Sequence, residues 1–327
     1  MKKIAAIGGI IFLCGIIVTV IAFAVADWDY KKLSTRATLE ERSATYDYED
    51  QDITLLDKST KVIINNSNDE KIHVSYQESE DLHYNITATS DIIKFEKKDD
   101  YKWYQYIFTF DFQWPTITIS LPDGYSGTLD LKTTNSRIEL KNLHTEKNIT
   151  IRTTNDRVKL ENIDAQKIDI QTTNDPVELK NVKSAGDLKI KTTNDKVTLE
   201  NVEATGNLTI ETTNDRVTLE NVKAQKIDAS TTNDKIQAKN TASIGSTELK
   251  TKNGVINITN LKSGGDIVLK TTNDRIEGTI IGKMSDYKIT SKTTHGNNSL
   301  PTSKTSGTHN LTVTTTNDNI NVIFTIS

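Results

Sequence analysis

An asparagine returns at Asn135, Asn155, Asn174, Asn194, Asn214, Asn233, Asn253 and Asn273, in steps of 20, 19, 20, 20, 19, 20 and 20 residues. Two threonines, or a threonine and a lysine, precede each of them. After an irregular stretch the asparagine reappears at Asn317, and His295 holds the intervening slot. A second column keeps the same beat: Asn142, Asn162, Asn181, Asn201, Asn221, Asn240 and Asn260. Two columns in step define one structural unit per twenty residues, so the fold must be an array of such units.

Within a unit the apolar residues alternate. Leu208 and Ile210 precede the Thr-Thr-Asn-Asp corner, and Val217, Leu219 and Val222 follow it. Period two with β-branched residues and threonine specifies strands. Each unit is therefore two short strands joined by two corners. The second corner is made of small residues and absorbs the length variation, being shorter in 19-residue units (Asp164-Ala165-Gln166). An antiparallel meander and a β-solenoid both satisfy this alternation. The asparagine columns favour the solenoid, because stacked amides can bond up and down a ladder. The expected fold is all-β: a parallel β-helix-like solenoid of about 20 residues per coil, whose roughly ten coils at about 4.8 Å each make a rod of about 45–50 Å. Apolar residues are 35% of the chain, which suits thin repeated cores better than one thick one.

Ile4 to Ala26 carries no charge. As a helix it spans about 35 Å, enough to cross a bilayer. Lys2 and Lys3 before it favour a cytoplasmic N-terminus, with the rest exported to the cell exterior. Ala24-Val25-Ala26 has the form of a signal-peptidase site, so cleavage is the competing reading; the length of the apolar run favours an anchor. The single cysteine, Cys14, follows Leu13 in mid-span, which argues against a lipoprotein and leaves no disulfide or cysteine metal site.

The residue after each turn asparagine is usually an aspartate (Asp156, Asp175, Asp195, Asp215, Asp234, Asp274, Asp318), and the next is usually a base (Arg137, Arg157, Lys196, Arg216, Lys235, Arg275). A carboxylate column suggests a calcium ladder, but an Asx-type turn flanked by a neutralising basic stripe explains it without an ion. Adjacent Thr212 and Thr213 point to opposite sides, unlike the threonine pairs of ice-binding faces.

Residues 27–50 read as a polar stalk, and 51–127 as a strand-rich N-terminal region that caps a solenoid over 128–327. Strands are expected at Lys61–Asn65, Lys71–Tyr76, Leu82–Thr87 and Ile92–Lys97, with Asn68-Asp69 as a degenerate first corner. Tyr104, Tyr106, Phe108, Phe110, Phe112 and Trp114 are aromatics at period two, so one strand face is wholly aromatic. It is either a lid over the first coil or a platform for sugar rings. Residues 295–310 read as a loop leaving the rod. The last strand, Ile320–Ile326, is apolar on both faces at Ile323 and Phe324: either folded under that loop or a partner surface.

The net charge of −4 offers no electrostatic case for nucleic acid. The five histidines are scattered, and no HExxH, GxSxG or phosphate loop occurs. The reading is a protein without catalytic residues, cofactor or metal. Its expected partners are the membrane and either cell-wall glycan or an envelope membrane protein; a glycan-active β-helix enzyme is the distant alternative.

Ile117-Thr118-Ile119-Ser120-Leu121-Pro122, Tyr125 and Leu129-Asp130-Leu131-Lys132-Thr133 resemble the entry to the repeat in bacterial putative-adhesin β-strand-repeat proteins, including LiaG-like envelope proteins. So does the opening, a membrane helix followed by Trp28-Asp29-Tyr30-Lys31-Lys32-Leu33-Ser34. The resemblance covers most of the chain. It implies a right-handed solenoid, an envelope location and a link to envelope stress, and it supplies no catalytic residues. One departure is the corner, Thr-Asn-Asp here where that family often has Ser-Gly-Asp.

Overall fold

In the computed structural model, residues 2–29, 39–80, 82–99 and 115–326 are described. Helix Lys2–Val25 is apolar on every side, and its stretch Ile7–Val25 is long and apolar enough to cross a membrane.

The rest is a two-sheet β-solenoid. Nine coils follow one another from residue 129, each with one strand in each sheet, as in Asn207–Glu211 and Val217–Ala224. Each sheet has 14 strands. Neighbouring coils pair in parallel and in register, so like residues stack on like: Val158 on Val177, Val197 and Val217 in one sheet, Ile151 on Ile170, Ile190 and Ile210 in the other. These side chains are fully buried between the sheets. Each buried aliphatic contributes about 1.5–3 kcal/mol, which a single coil cannot realise without neighbours to cover it.

The array extends below residue 128, beyond the expected boundary. Asp52–Leu56 and Lys61–Asn66 form a coil directly under Leu129–Lys132 and Ile138–His144. Ile92–Asp99 and Thr116–Leu121 form the coil beneath that. The stacking order is thus not the chain order: 92–121 lies under 52–66, and the chain then passes across 52–66 to begin the repeat. Tyr125 fastens this crossing, its hydroxyl donating to the carbonyls of Gln51 (3.1 Å) and Thr128 (2.9 Å). The first corner of the 52–66 coil is Asp57-Lys58-Ser59-Thr60, not Asn68-Asp69, which instead turns the chain outward into the strand Lys71–Glu78.

Antiparallel strands close this end. Lys71–Glu78 and Leu82–Ala88 pair with the two strands of the lowest coil, and Glu40–Asp47, in the segment expected as stalk, pairs with Lys71–Glu78. Switching to antiparallel pairing stops the stack from accepting another coil. At the other end, residues 295–310 do not leave the rod. Tyr287–Lys292 adds a strand beyond His309–Thr314, and Ser303–Lys304 pairs with it antiparallel.

Candidate functional site

The two asparagine columns are hydrogen-bonded ladders. In the first, each Nδ2 donates to the Oδ1 one coil back, from Asn155 to Asn135 (2.6 Å) through Asn273 to Asn253 (2.7 Å), and Asn317 continues it onto Asn273 (2.7 Å). His295 closes the end with Nδ1 3.2 Å from Asn317 Oδ1. The second runs from Asn162 onto Asn142 (2.8 Å) to Asn260 onto Asn240 (3.0 Å). Every member of the second column has a left-handed backbone, φ 50° to 57°. Asparagine tolerates that region better than any other residue with a side chain. Both columns are thus committed to the fold.

The aspartates after the first column are committed too. Carboxylates of Asp195, Asp215, Asp234 and Asp274 each accept the next residue's N–H at 2.6–2.8 Å. This is the turn-closing role, with the carboxylates directed at their own backbone.

The aromatic candidates Tyr104, Tyr106, Phe108, Phe110 and Trp114 lie outside the described residues. At the far end, Asn297 and Ser299 cover the first half of the last strand: Ile320 N–H donates to Asn297 O (2.8 Å) and Ser299 N–H to Ile320 O (2.9 Å). Beyond Val322 the outer edge of Ile320–Thr325 has no strand partner among the described residues, and Ile323 is 56% exposed.

A groove of about 590 Å³ opens on the second-corner side of the early coils. It lies beside the corner at Gln166, which is one residue shorter than its neighbours'. Buried Thr145, Ala165 and Ser184 floor it. One wall is an outward column in strict register: His144, Asp164, Lys183, Glu203. His144 Nδ1 lies 3.6 Å from Asp164 Oδ2. Base and acid alternate at the strand spacing of about 4.8 Å, so the wall offers alternating donors and acceptors. None of these residues stood out in the sequence; the shortened corner was the sign that could have found them. On the other sheet Asp228 is set apart: burial, and Glu248 beside it, push its carboxyl above the usual range.

An all-β, two-sheet solenoid with one apolar N-terminal helix defines the class: an extended β-strand-repeat protein. The chain belongs to the Toastrack DUF4097 family, whose model matches residues 51–323. No curated relative matches it. Among solved structures it is similar to a putative lipid binding protein from Parabacteroides distasonis (12% identity, 73% of this chain and 94% of that one, TM-score 0.45). It is also similar to putative adhesins from Bacteroides fragilis (12% identity, 88% and 97%, TM-score 0.37) and Parabacteroides merdae (14% identity, 88% and 95%, TM-score 0.36).

Proposed function

We infer that this chain is a non-catalytic, membrane-anchored scaffold of the bacterial cell envelope, with its N-terminus cytoplasmic and its solenoid outside the cell, where it holds a polyhydroxylated cell-wall polymer. The observation that carries this reading is the notch beside Gln166, walled by alternating His144, Asp164, Lys183 and Glu203. A ladder of alternating donors and acceptors suits a sugar chain, which presents hydroxyls of both kinds. Tyr104 and Tyr106 supply a second contact by stacking on sugar rings. The apolar helix Lys2–Val25 keeps the array at the membrane.

The test is retention of the full-length protein, in detergent micelles, on purified cell-wall sacculi. Asp164→Ala with Glu203→Ala should lower retention about tenfold, equivalent to ~1.4 kcal/mol, while leaving the melting temperature in place. Unchanged retention would sink the groove as the binding face. A second reading, a regulator of envelope stress acting on a membrane protein, is favoured by the open apolar edge at Ile323 and Ile326. Crosslinking from position 323 in native membranes distinguishes the two: one discrete adduct supports a protein partner.

A further inference from the structure

The first residue of each Thr-Thr-Asn corner is buried, giving a column through Thr133, Thr153, Thr172, Thr192, Thr212 and Thr231. Below Thr133 the column changes character. Leu56 pairs with both Lys132 and Glu96, so the next residues along place Asp57 under Thr133 and Lys97 under Asp57. These two side chains are sealed from solvent, at 0% and 1% exposure, with Lys97 Nζ 3.9 Å from Asp57 Oδ1. A buried ion pair is costly to desolvate, and every repeat coil manages with threonine here.

Both oxygens of the Asp57 carboxyl are engaged. Oδ1 accepts two backbone N–H groups, from Ser59 (2.7 Å) and Thr60 (2.8 Å). Oδ2 accepts the Tyr84 hydroxyl. Lys97 Nζ donates to Thr60 Oγ1 (2.5 Å) and Ser59 Oγ (3.2 Å), and the Thr60 hydroxyl is in turn bonded to Tyr84. An amine 3.9 Å from Oδ1, paired N–H donors on that oxygen and a hydroxyl on the other thus surround one carboxyl. Burial, with Asp57 next to it, holds the proton on Tyr84 far into the alkaline range.

We propose that Lys97 and Asp57 condense within the folded chain to an isopeptide bond, joining the two lowest coils of the solenoid. A proton first passes from the Lys97 ammonium to Oδ2 of Asp57. The amine then attacks Cγ of Asp57, and the charge forming on Oδ1 is held by the Ser59 and Thr60 N–H groups. A second proton travels from the nitrogen to Thr60, Tyr84 and Oδ2 in turn. The Cγ–Oδ2 bond breaks, the oxygen leaves as water carrying both protons, and an amide remains. No oxidant, reductant or further reactant is needed. The product removes two buried charges and staples the two lowest coils to each other.

Mass spectrometry of the full-length protein decides it. Expected is an intact mass lower by one water than that of the Lys97→Arg variant after correction for the substitution, and a proteolytic digest containing one branched peptide that spans Asp57 and Lys97. Tyr84→Phe should slow the water loss at least tenfold when freshly made protein is followed in time. The digest needs no variant, so a misfolded substitution cannot obscure the result. Full mass with Asp57 and Lys97 in separate peptides overturns the proposal.

Discussion

Asn142 and Asn162 stand one coil apart with the same left-handed backbone, φ 52° and 57°, and Asn162 Nδ2 donates to Asn142 Oδ1 at 2.8 Å. One residue type meets two demands at this point of the coil, a backbone bend and a side-chain ladder. The first-corner column meets only the second, since none of its asparagines has a positive φ.

This difference predicts opposite substitution orders. Asn201 bonds to Asn181 and accepts from Asn221 at 3.0 and 2.9 Å. Asn201→Ala should lose about 2–3 kcal/mol, from a left-handed penalty of ~1–2 kcal/mol and two solvent-exposed bonds worth less than ~1 kcal/mol each. Asn201→Gly should recover most of the backbone part. At Asn194, Gly should be no better than Ala, and worse by about 0.5–1 kcal/mol. Urea unfolding of the four variants checks this; the same order at both sites would show that the amides, not the backbone, select asparagine.

The buried threonines divide in a similar way. Thr251 Oγ1 donates to Asp234 O at 2.9 Å, whereas the hydroxyls of Thr172 and Thr192 have no hydrogen-bond partner among the described residues. Thr192→Val should be neutral or stabilising by up to about 1 kcal/mol, because it removes an unsatisfied buried group. Thr251→Val should cost about 1 kcal/mol and leave the Asp234 carbonyl short of a donor. Thermal melts of both variants measured side by side give the comparison, and equal losses would contradict it.

Alkaline pH should weaken the crossing at Tyr125. Burial first, then Tyr48 and Asp52, push its phenol far above the ordinary value. A raised folded pKa means the contribution is fully present below the unfolded value of about 10 and is lost as pH rises past it. Stability should therefore be flat through neutral pH and decline above about pH 10. Tyr125→Phe should cost about 1–2 kcal/mol at pH 7, because the Gln51 carbonyl loses the hydroxyl while Thr128 O keeps only Ile53 N–H, and should make the alkaline decline shallower. Denaturant midpoints between neutral pH and pH 11 test it; an unchanged slope in the variant would place the sensitivity elsewhere.

The repeat coils were legible in the sequence because each position has one environment met many times. Leu208, Ile210, Val217 and Leu219 alternate as the two sheets require, and the asparagines mark both the corner and the bend. The lowest coils were not legible as coils. Asp57-Lys58-Ser59-Thr60 turns a corner with none of the Thr-Thr-Asn signature, and its stacking partners, Lys97 and Thr133, both lie far along the chain from it. Local pattern carries no information about which coil lies under which, so 51–127 read as a cap when half of it is solenoid. The groove at Gln166 was hidden for another reason: its signal was one missing residue, and its wall of His144, Asp164, Lys183 and Glu203 looks like ordinary solvated charge until register aligns it.

The second asparagine ladder ends at Asn260, and Gly278 is where the next coil departs from it. Register between Ile256–Ser263 and Ile276–Ile281 slips after Ile258, and Asn260 N–H is taken instead by Thr279 Oγ1 at 2.7 Å. Gly278 has φ +130°, and a Cβ there would stand 1.7 Å from the Ile258 carbonyl oxygen. Gly278→Ala thus combines a backbone conformation that costs about 1–3 kcal/mol with a clash against main chain that cannot rotate away. The expected loss is about 3 kcal/mol or more, among the larger single-residue effects. Because repeat stability is carried by nearest-neighbour coils, the damage should be local. Hydrogen exchange should speed up in 267–326 while the amides of 148–224 keep their protection. Uniform loss of protection along the whole array would show instead that the solenoid unfolds as one cooperative unit.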